Sequence, residues 1–286
     1  MSQAPKQIGS YNIERTLGSG VMGSVYLSKV GNNEFWAIKQ VNDNLAQRKK
    51  EINKFTGEIK HDTIMLYRKI EATGASQFHI VMDYLEVRPM ERSLMRTTLS
   101  GRILEMFAEM AEGLDHVHKA GFVHGNIKAS NVLVRRPSPT KVQAILNDFG
   151  IEYIYKAENF SADVFKKVFP YRSPEAAQAL VNPDAGIKVG PAADLYSLTV
   201  CLVEVLARKL LYADADNLEG LLKLKREEKF HLLNVNWPRK NVEIKKLNEF
   251  LEKNLSYEAA GRHQSGQEYS QALRACIAPA PAEATA

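Results

Sequence analysis

The 286-residue sequence reads as an α+β protein of two unequal lobes, a small β-rich lobe followed by a larger, mainly helical one. Two observations carry this reading. Residues 11–41 alternate polar and apolar side chains with glycine punctuation, the period of half-buried strands. From about residue 99, Ile103, Leu104, Phe107, Met110, Ala111, Leu114 and Val117 recur at steps of three and four, the period of a helix with one buried face.

The elements follow in chain order. Residues 1–10 read as an N-terminal extension. Three strands occupy 11–41, with Gly31-Asn32-Asn33 turning between the second and third. Residues 44–59 are charged with a sparse apolar stripe (Leu45, Ile52, Phe55, Ile59), which suits a single helix lying on a sheet. Two further strands are expected near 64–71 and 77–82, which closes a first lobe at 11–82. The second lobe, 83–277, starts its helical part with the 99–120 periodicity, stopped by Gly121. A strand pair near 131–134 and 142–147 comes next, and the chain is mostly helical after 175. The apolar stretch Leu195–Leu206 is too short for a membrane span and carries Glu204, so it reads as a buried helix. Residues 278–286 are Pro/Ala-rich and read as a tail or linker.

Composition is that of an ordinary globular protein, with 45% hydrophobic and 25% charged residues. A formal charge of +5 is mild for this length and gives no ground for a nucleic-acid partner. The run Arg48-Lys49-Lys50 reads as a solvated helix face. Two cysteines, Cys201 and Cys276, do not make a disulfide framework, and the first residues contain no apolar signal segment. A reducing, cytoplasmic setting is the expectation.

The first chemical motif is Gly18-x-Gly20-x-x-Gly23. Three glycines alone fit an ordinary hairpin, and dinucleotide-binding folds also use them, but those folds need a helix straight after the loop. Here Val25-Tyr26-Leu27 continues as a strand, so the glycines sit in a hairpin whose backbone can approach phosphates. Ala37-Ile38-Lys39 follows on a strand, and Glu51 falls on the helix 12 residues later. His61-Asp62-Thr63-Ile64 closes that helix. Val81-Met82-Asp83-Tyr84-Leu85, His124-Gly125-Asn126-Ile127-Lys128-Ala129-Ser130-Asn131, Asp148-Phe149-Gly150, Ser173-Pro174-Glu175, Asp194-Leu195-Tyr196-Ser197-Leu198 and Arg262 complete the series.

In this order and spacing the motifs resemble a eukaryotic-type (Hanks-type) Ser/Thr protein kinase domain over about residues 11–275. The resemblance implies a bilobal kinase-like fold that binds ATP and Mg2+. Gly18, Gly20 and Gly23 would cover the phosphates, and Lys39, paired with Glu51, would hold them. Val25, Ala37 and Leu133 would sandwich the adenine. Met82 stands at the gatekeeper place, and the backbone of Asp83 to Leu85 would hydrogen-bond the base. Asn131 and Asp148 would ligate the metal as oxygen donors. Lys128 stands where kinases place a catalytic lysine, and Arg262 would pair with Glu175. His124, Phe149 and Phe55 fit the apolar column that aligns the lobes.

Three positions depart from the family pattern. Asn126 replaces the Asp that accepts the substrate proton, and an amide is a negligible base near neutral pH. Gly125 replaces the Arg that reads activation-loop phosphate, and the 151–172 segment contains no Thr. Val168 replaces a Thr whose hydroxyl contacts the catalytic Asp and Lys. The reading is therefore an ATP-binding pseudokinase serving as a regulatory or scaffolding module for a protein partner. Its alternatives are a low-activity Ser/Thr kinase, in which Lys128 and Mg2+ carry the transfer, and a scaffold that binds no nucleotide.

Overall fold

The computed structural model describes residues 4–20, 23–31, 34–41, 57, 59–72, 78–90, 100–138, 141–149, 161–227 and 241–279. Its strands are Gln7–Ile8 (β1), Tyr11–Gly20 (β2), Gly23–Val30 (β3), Glu34–Val41 (β4), Tyr67–Ala72 (β5), Phe78–Asp83 (β6), Arg88–Pro89 (β7), Val132–Ser138 (β8) and Lys141–Leu146 (β9). Its helices are Ser100–Lys119 (α1), Ala162–Val168 (α2), Pro174–Val181 (α3), Pro191–Ala207 (α4), Leu218–Glu227 (α5), Ile244–Asn254 (α6) and Gly266–Arg274 (α7). One antiparallel sheet takes the order β1-β2-β3-β4-β6-β5, and a smaller one takes β7-β8-β9. The chain thus has the β-rich and helical halves that the periodicities predict. The expected helix over 44–59 lies outside the described residues, except for Gly57 and Ile59.

The strand alternation predicts one wet face for the first sheet. In the structure, Tyr26 to Ser28, Ala37 to Lys39 and Phe78 to Met82 are buried on both faces. The reason lies in residues 4–10. Strand β1 pairs with β2 through Gln7–Asn12 and Ile8–Tyr11. A second small core then forms from Ile8, Tyr11, Tyr26, Ile38 and Val81. What reads as an extension belongs to the sheet.

Helix α1 is buried on the face that its periodicity marks, with Leu104, Phe107, Met110, Leu114 and Val117 wholly inside. Gly121, at φ 85°, ends it: Phe122 N–H bonds the Val117 carbonyl and Gly121 N–H bonds that of His118. Helix α4 is apolar almost all round and runs through the core of the larger lobe. Its one acid outside the first turn, Glu204, accepts a 2.7 Å bond from the Tyr171 hydroxyl.

The turn at 61–65 joins the halves. Thr63 Oγ1 donates to the Glu109 carbonyl of α1 at 3.2 Å. Met65 N–H bonds the Leu146 carbonyl, and Leu146 N–H bonds that of Thr63, both at 2.8 Å. A Cβ at Gly113 would stand 2.2 Å from Thr63 Oγ1, so α1 approaches this turn as only glycine allows.

Candidate nucleotide and phosphotransfer site

The glycine hairpin forms as a β2–β3 ladder whose register shifts between Ile13 and Arg15 and between Thr16 and Gly18, with Gly18 opposite Val25 and Gly20 opposite Gly23. Gly23 is demanded by the fold: its φ is 131°, and a Cβ would stand 2.0 Å from the Gln40 carbonyl oxygen. Gly18 is exposed, and a Cβ there would meet nothing within 4 Å. Among the described residues no protein atom explains the choice of glycine at 18.

Behind the hairpin, register puts Val25 opposite Lys39 and Ala37 opposite Met82. Ala37 and Met82 belong to the main core, while Val25, Leu85 and Leu133 are half-buried at its edge. The Asp83 carboxylate pairs with Arg68 on β5, which leaves its backbone as the part that can face the cleft. A small cavity, lined by Ile59, Ile64, Met65, Tyr67 and Phe149, lies beneath. Tyr67, directly opposite Met82 in the sheet, stands edge-on to Phe149 at 6.4 Å between centroids. Burial, then the Asp148 charge, raises its hydroxyl far above the ordinary range, against the pull of the Phe149 and Asp148 backbone.

Lys39 is buried on β4, and its Nζ lies 2.7 Å from Asp148 Oδ1. The expected Lys39–Glu51 pair falls outside the described residues, as do Gly150 and Phe55. Asp148 has φ 65°, the left-handed region that short polar residues tolerate best. Its backbone carbonyl accepts from Asn126 Nδ2 at 3.3 Å. The Asn126 carbonyl accepts from Asn131 Nδ2 at 2.8 Å. This uses Asn131 Nδ2 and leaves its Oδ1 as the atom of that side chain that could serve as an oxygen donor. Two oxygen donors supplemented by phosphates suit Mg2+.

The 124–131 loop hangs on one buried carboxylate. Asp194 on α4 accepts from His124 N–H at 2.7 Å, Gly125 N–H at 2.8 Å and His118 Nε2 at 2.8 Å. Burial would raise the Asp194 carboxyl. The His118 hydrogen bond, the His118 and His124 charges and the Gly125 amide outweigh it and hold the group below its ordinary value. Gly125 sits at φ 70°, where any side chain would add strain. His124 Nδ1 accepts the Asn126 N–H at 3.2 Å, so the neutral ring carries its proton on Nε2. The ring packs 4.2 Å from that of Phe149, and burial pushes its pKa down to about 4. Lys128, two residues past Asn126, is half-buried, and its carbonyl accepts from Asn131 N–H at 2.9 Å.

Val168 ends α2 as part of the apolar core. Beyond it, Arg262 grips Glu175 with bonds of 2.7 and 3.0 Å, as the resemblance implies. Sequence reasoning missed three contributors. His118 gives Asp194 a third donor, yet nothing in a lone histidine marks it. Tyr67 looks like any strand tyrosine. Lys225 on α5 is buried: its Nζ bonds the Pro170 carbonyl at 2.8 Å and lies 4.0 Å from the Tyr212 ring centre. An apolar stripe with a lysine inside it was the available signal.

The family model of the protein kinase domain matches residues 11–273. Mitogen-activated protein kinase kinase kinase 1 of Arabidopsis thaliana is 27% identical over 228 residues, 77% of this chain and 36% of that protein. Serine/threonine-protein kinase pkn2 of Myxococcus xanthus is 31% identical over 216 residues, 71% of this chain and 25% of that protein. The chain thus spans roughly a quarter to two fifths of the length of the curated relatives it matches. Among solved structures, the PknI kinase domain of Mycobacterium tuberculosis superposes with a TM-score of 0.69 at 20% identity, covering 96% of this chain and 99% of that one, a likeness of fold. Matched along nearly all of its length, the chain belongs to the protein kinase domain family, with Hanks-type Ser/Thr kinases as its relatives.

Proposed function

We propose that this kinase domain binds ATP and Mg2+ but transfers phosphate weakly or not at all, and that it serves as a regulatory or scaffolding module for a protein partner. The observation that carries the reading is the contrast between two halves of one site. Lys39, Asn131 and Asp148 lie within a connected set of hydrogen bonds, and Val25, Ala37, Met82, Leu85 and Leu133 belong to or pack against one apolar core, which supports reading them as the adenine wall. At 126, by contrast, stands an amide that has no acid–base chemistry near pH 7 and whose Nδ2 is already given to a backbone carbonyl. In this reading Gly18 is glycine because a phosphate, not a protein atom, approaches it. Asp83 to Leu85 is the hinge between lobes 11–82 and 83–277. Glu51 would complete the Lys39 site. Cys201 and Cys276 are buried thiols, which fits a reducing compartment such as the cytoplasm.

The second reading, a slow Ser/Thr kinase, has one observation in its favour. The 169–175 segment is anchored by Tyr171–Glu204, Lys225–Pro170 and Arg262–Glu175, as an ordered shelf for a peptide would be. Phosphoryl transfer is mostly positioning and charge neutralisation, so Lys128 and the metal would carry it, with the Asn126 amide oxygen orienting the hydroxyl.

A thermal melt with and without Mg-ATP, beside a radiolabel transfer assay, separates the readings. At ligand 100 times its Kd the gain is about 2.7 kcal/mol, roughly 4–5 °C for a chain of this length. A shift without transfer supports the pseudokinase. Transfer that disappears in Asp148→Ala selects the slow kinase, and no shift at millimolar Mg-ATP selects the scaffold.

A further inference from the structure

We propose that His61 and His116 form a two-histidine site for a divalent transition-metal ion, which clamps the 61–65 turn to α1. Such a clamp acts whether or not the domain binds nucleotide.

The two rings come from the elements that join the halves. His61 opens the 61–65 turn, and His116 stands in the last turn of α1. Their ring centres lie 6.2 Å apart, with the planes tilted by 35°. Two imidazoles that share one zinc at about 2.1 Å place their centres about 5–6.5 Å apart, depending on the angle at the metal. Gly113 makes the approach possible, because a Cβ there would stand 3.0 Å from His61 Nδ1. Residues three apart on a helix share a face, so a ring resting on 113 stands beside His116.

Hydrogen bonding leaves the useful nitrogen of His61 available. Thr63 Oγ1 gives its proton to the Glu109 carbonyl at 3.2 Å. Its contact with His61 Nδ1, at 2.9 Å, must then be donated by the ring. Nδ1 carries the hydrogen, and Nε2 keeps the lone pair that a metal needs. Thr63 N–H would favour the other tautomer, but at 3.3 Å its contact with Nδ1 is the longer one. Metal-ligating histidines ordinarily have their second ring nitrogen fixed in this way. His116 is exposed, so its ring can turn toward the ion.

The surrounding charge suits a cation. Asp62, next in the chain, and Glu112, one turn before His116 on α1, both bring negative charge to the His61 ring. Among the described residues no third His, Cys, Asp or Glu already converges with the pair, and Glu112 is held by Arg274 and Ser270. Water therefore completes the coordination, and the ion is one that imidazole selects, such as Zn2+ or Cu2+, in place of Mg2+ or Ca2+.

The test uses the untagged full chain with His61→Asn and His116→Ala. Asn keeps a side-chain N–H near the place of Nδ1, so the bond to Thr63 survives while the Nε2 ligand is lost. Zn2+ is titrated against a chromophoric chelator at neutral pH. The wild type should bind one ion with a Kd on the order of micromolar, and each variant should bind at least about tenfold more weakly. Electron paramagnetic resonance of bound Cu2+ should show two imidazole nitrogens in the wild type and one in each variant. Metal-free melting identifies a variant that fails to fold; if His61→Asn does, the exposed His116→Ala decides alone. A wild type that takes up no Zn2+ at roughly 100 μM overturns the site. So does Zn2+ affinity in His116→Ala equal to that of the wild type, which would place the ion on other histidines.

Discussion

At the scale of single residues, the site is organised around Asp148. Its carboxylate is paired with Lys39, whose own burial makes that pairing costly to break from one side. Lys39→Ala should therefore do two things: remove a phosphate contact and release the Asp148 carboxylate from its tether. Nucleotide affinity should fall at least tenfold, roughly the value of one charge-assisted contact. Asp148→Ala should leave metal-free nucleotide binding in place while abolishing its dependence on Mg2+. Titrations with ATP in Mg2+ and in chelator check both. Wild-type affinity in both variants would refute the assignment of phosphate and metal sites. Much of this was legible in the sequence, because Lys39, Asn131 and Asp148 lie in short motifs whose spacing is itself informative. What was not legible was whom each touches. The Asn126 amide meets the Asp148 backbone across 22 residues, and backbone acceptors leave no trace in side-chain identity.

At the scale of elements, local periodicity revealed α1 and the strand ladder well, since both bury one regular face. It missed β1, because two residues have no period, and with it the second small core on the outer side of the sheet. It missed α2 for a related reason. Seven residues make barely two turns, and their helical state depends on the Ser161 cap and on burying Val164 and Val168. The contact between α5 and the turn Phe169–Tyr171 was equally hidden. A lysine inside a helix reads as solvated, yet Lys225 lies buried between the Tyr196 and Tyr212 rings, with its proton on the Pro170 carbonyl. Lys225→Met keeps the stem and removes the charge. It should cost about 1–3 kcal/mol, the price of leaving that carbonyl unpaired and losing the ring contacts. The loss should be local: hydrogen exchange at 169–173 should speed up more than exchange in α1. Urea unfolding and exchange together decide this, and uniform loss of protection would show that Lys225 does not act on the turn.

At the scale of the whole molecule, the halves meet through buried polar groups whose protonation the fold has fixed, and this sets its response to acid. His124 has its pKa lowered by burial to about 4, against an ordinary value of 6.5. The folded chain therefore keeps the ring neutral while the unfolded chain protonates it. Stability from this group is fully present above pH 6.5 and is lost as pH falls from there toward 4, by about 2 kcal/mol between pH 7 and 5. His61 and His263, also lowered chiefly by burial, add in the same direction. Asp194 behaves oppositely in origin: burial raises it, but His118, His124 and Gly125 depress it overall, so its contribution is present above about pH 4 and disappears only below. Glu175, whose burial is outweighed by Arg262, shares that lower window. The expected profile has two steps, one between pH 6.5 and 4 that loosens the 124–131 loop, and a second below 4 that frees the His124 and Gly125 amides from Asp194 and Arg262 from Glu175. Urea unfolding across pH 7 to 4 measures the first step, and the His124 imidazole resonances should stay those of a neutral ring down to pH 5. A flat stability curve over that range, or a His124 titration near 6.5, would mean that the ring is not sealed between Phe149 and the loop, and the packing that aligns the two halves would have to be redrawn.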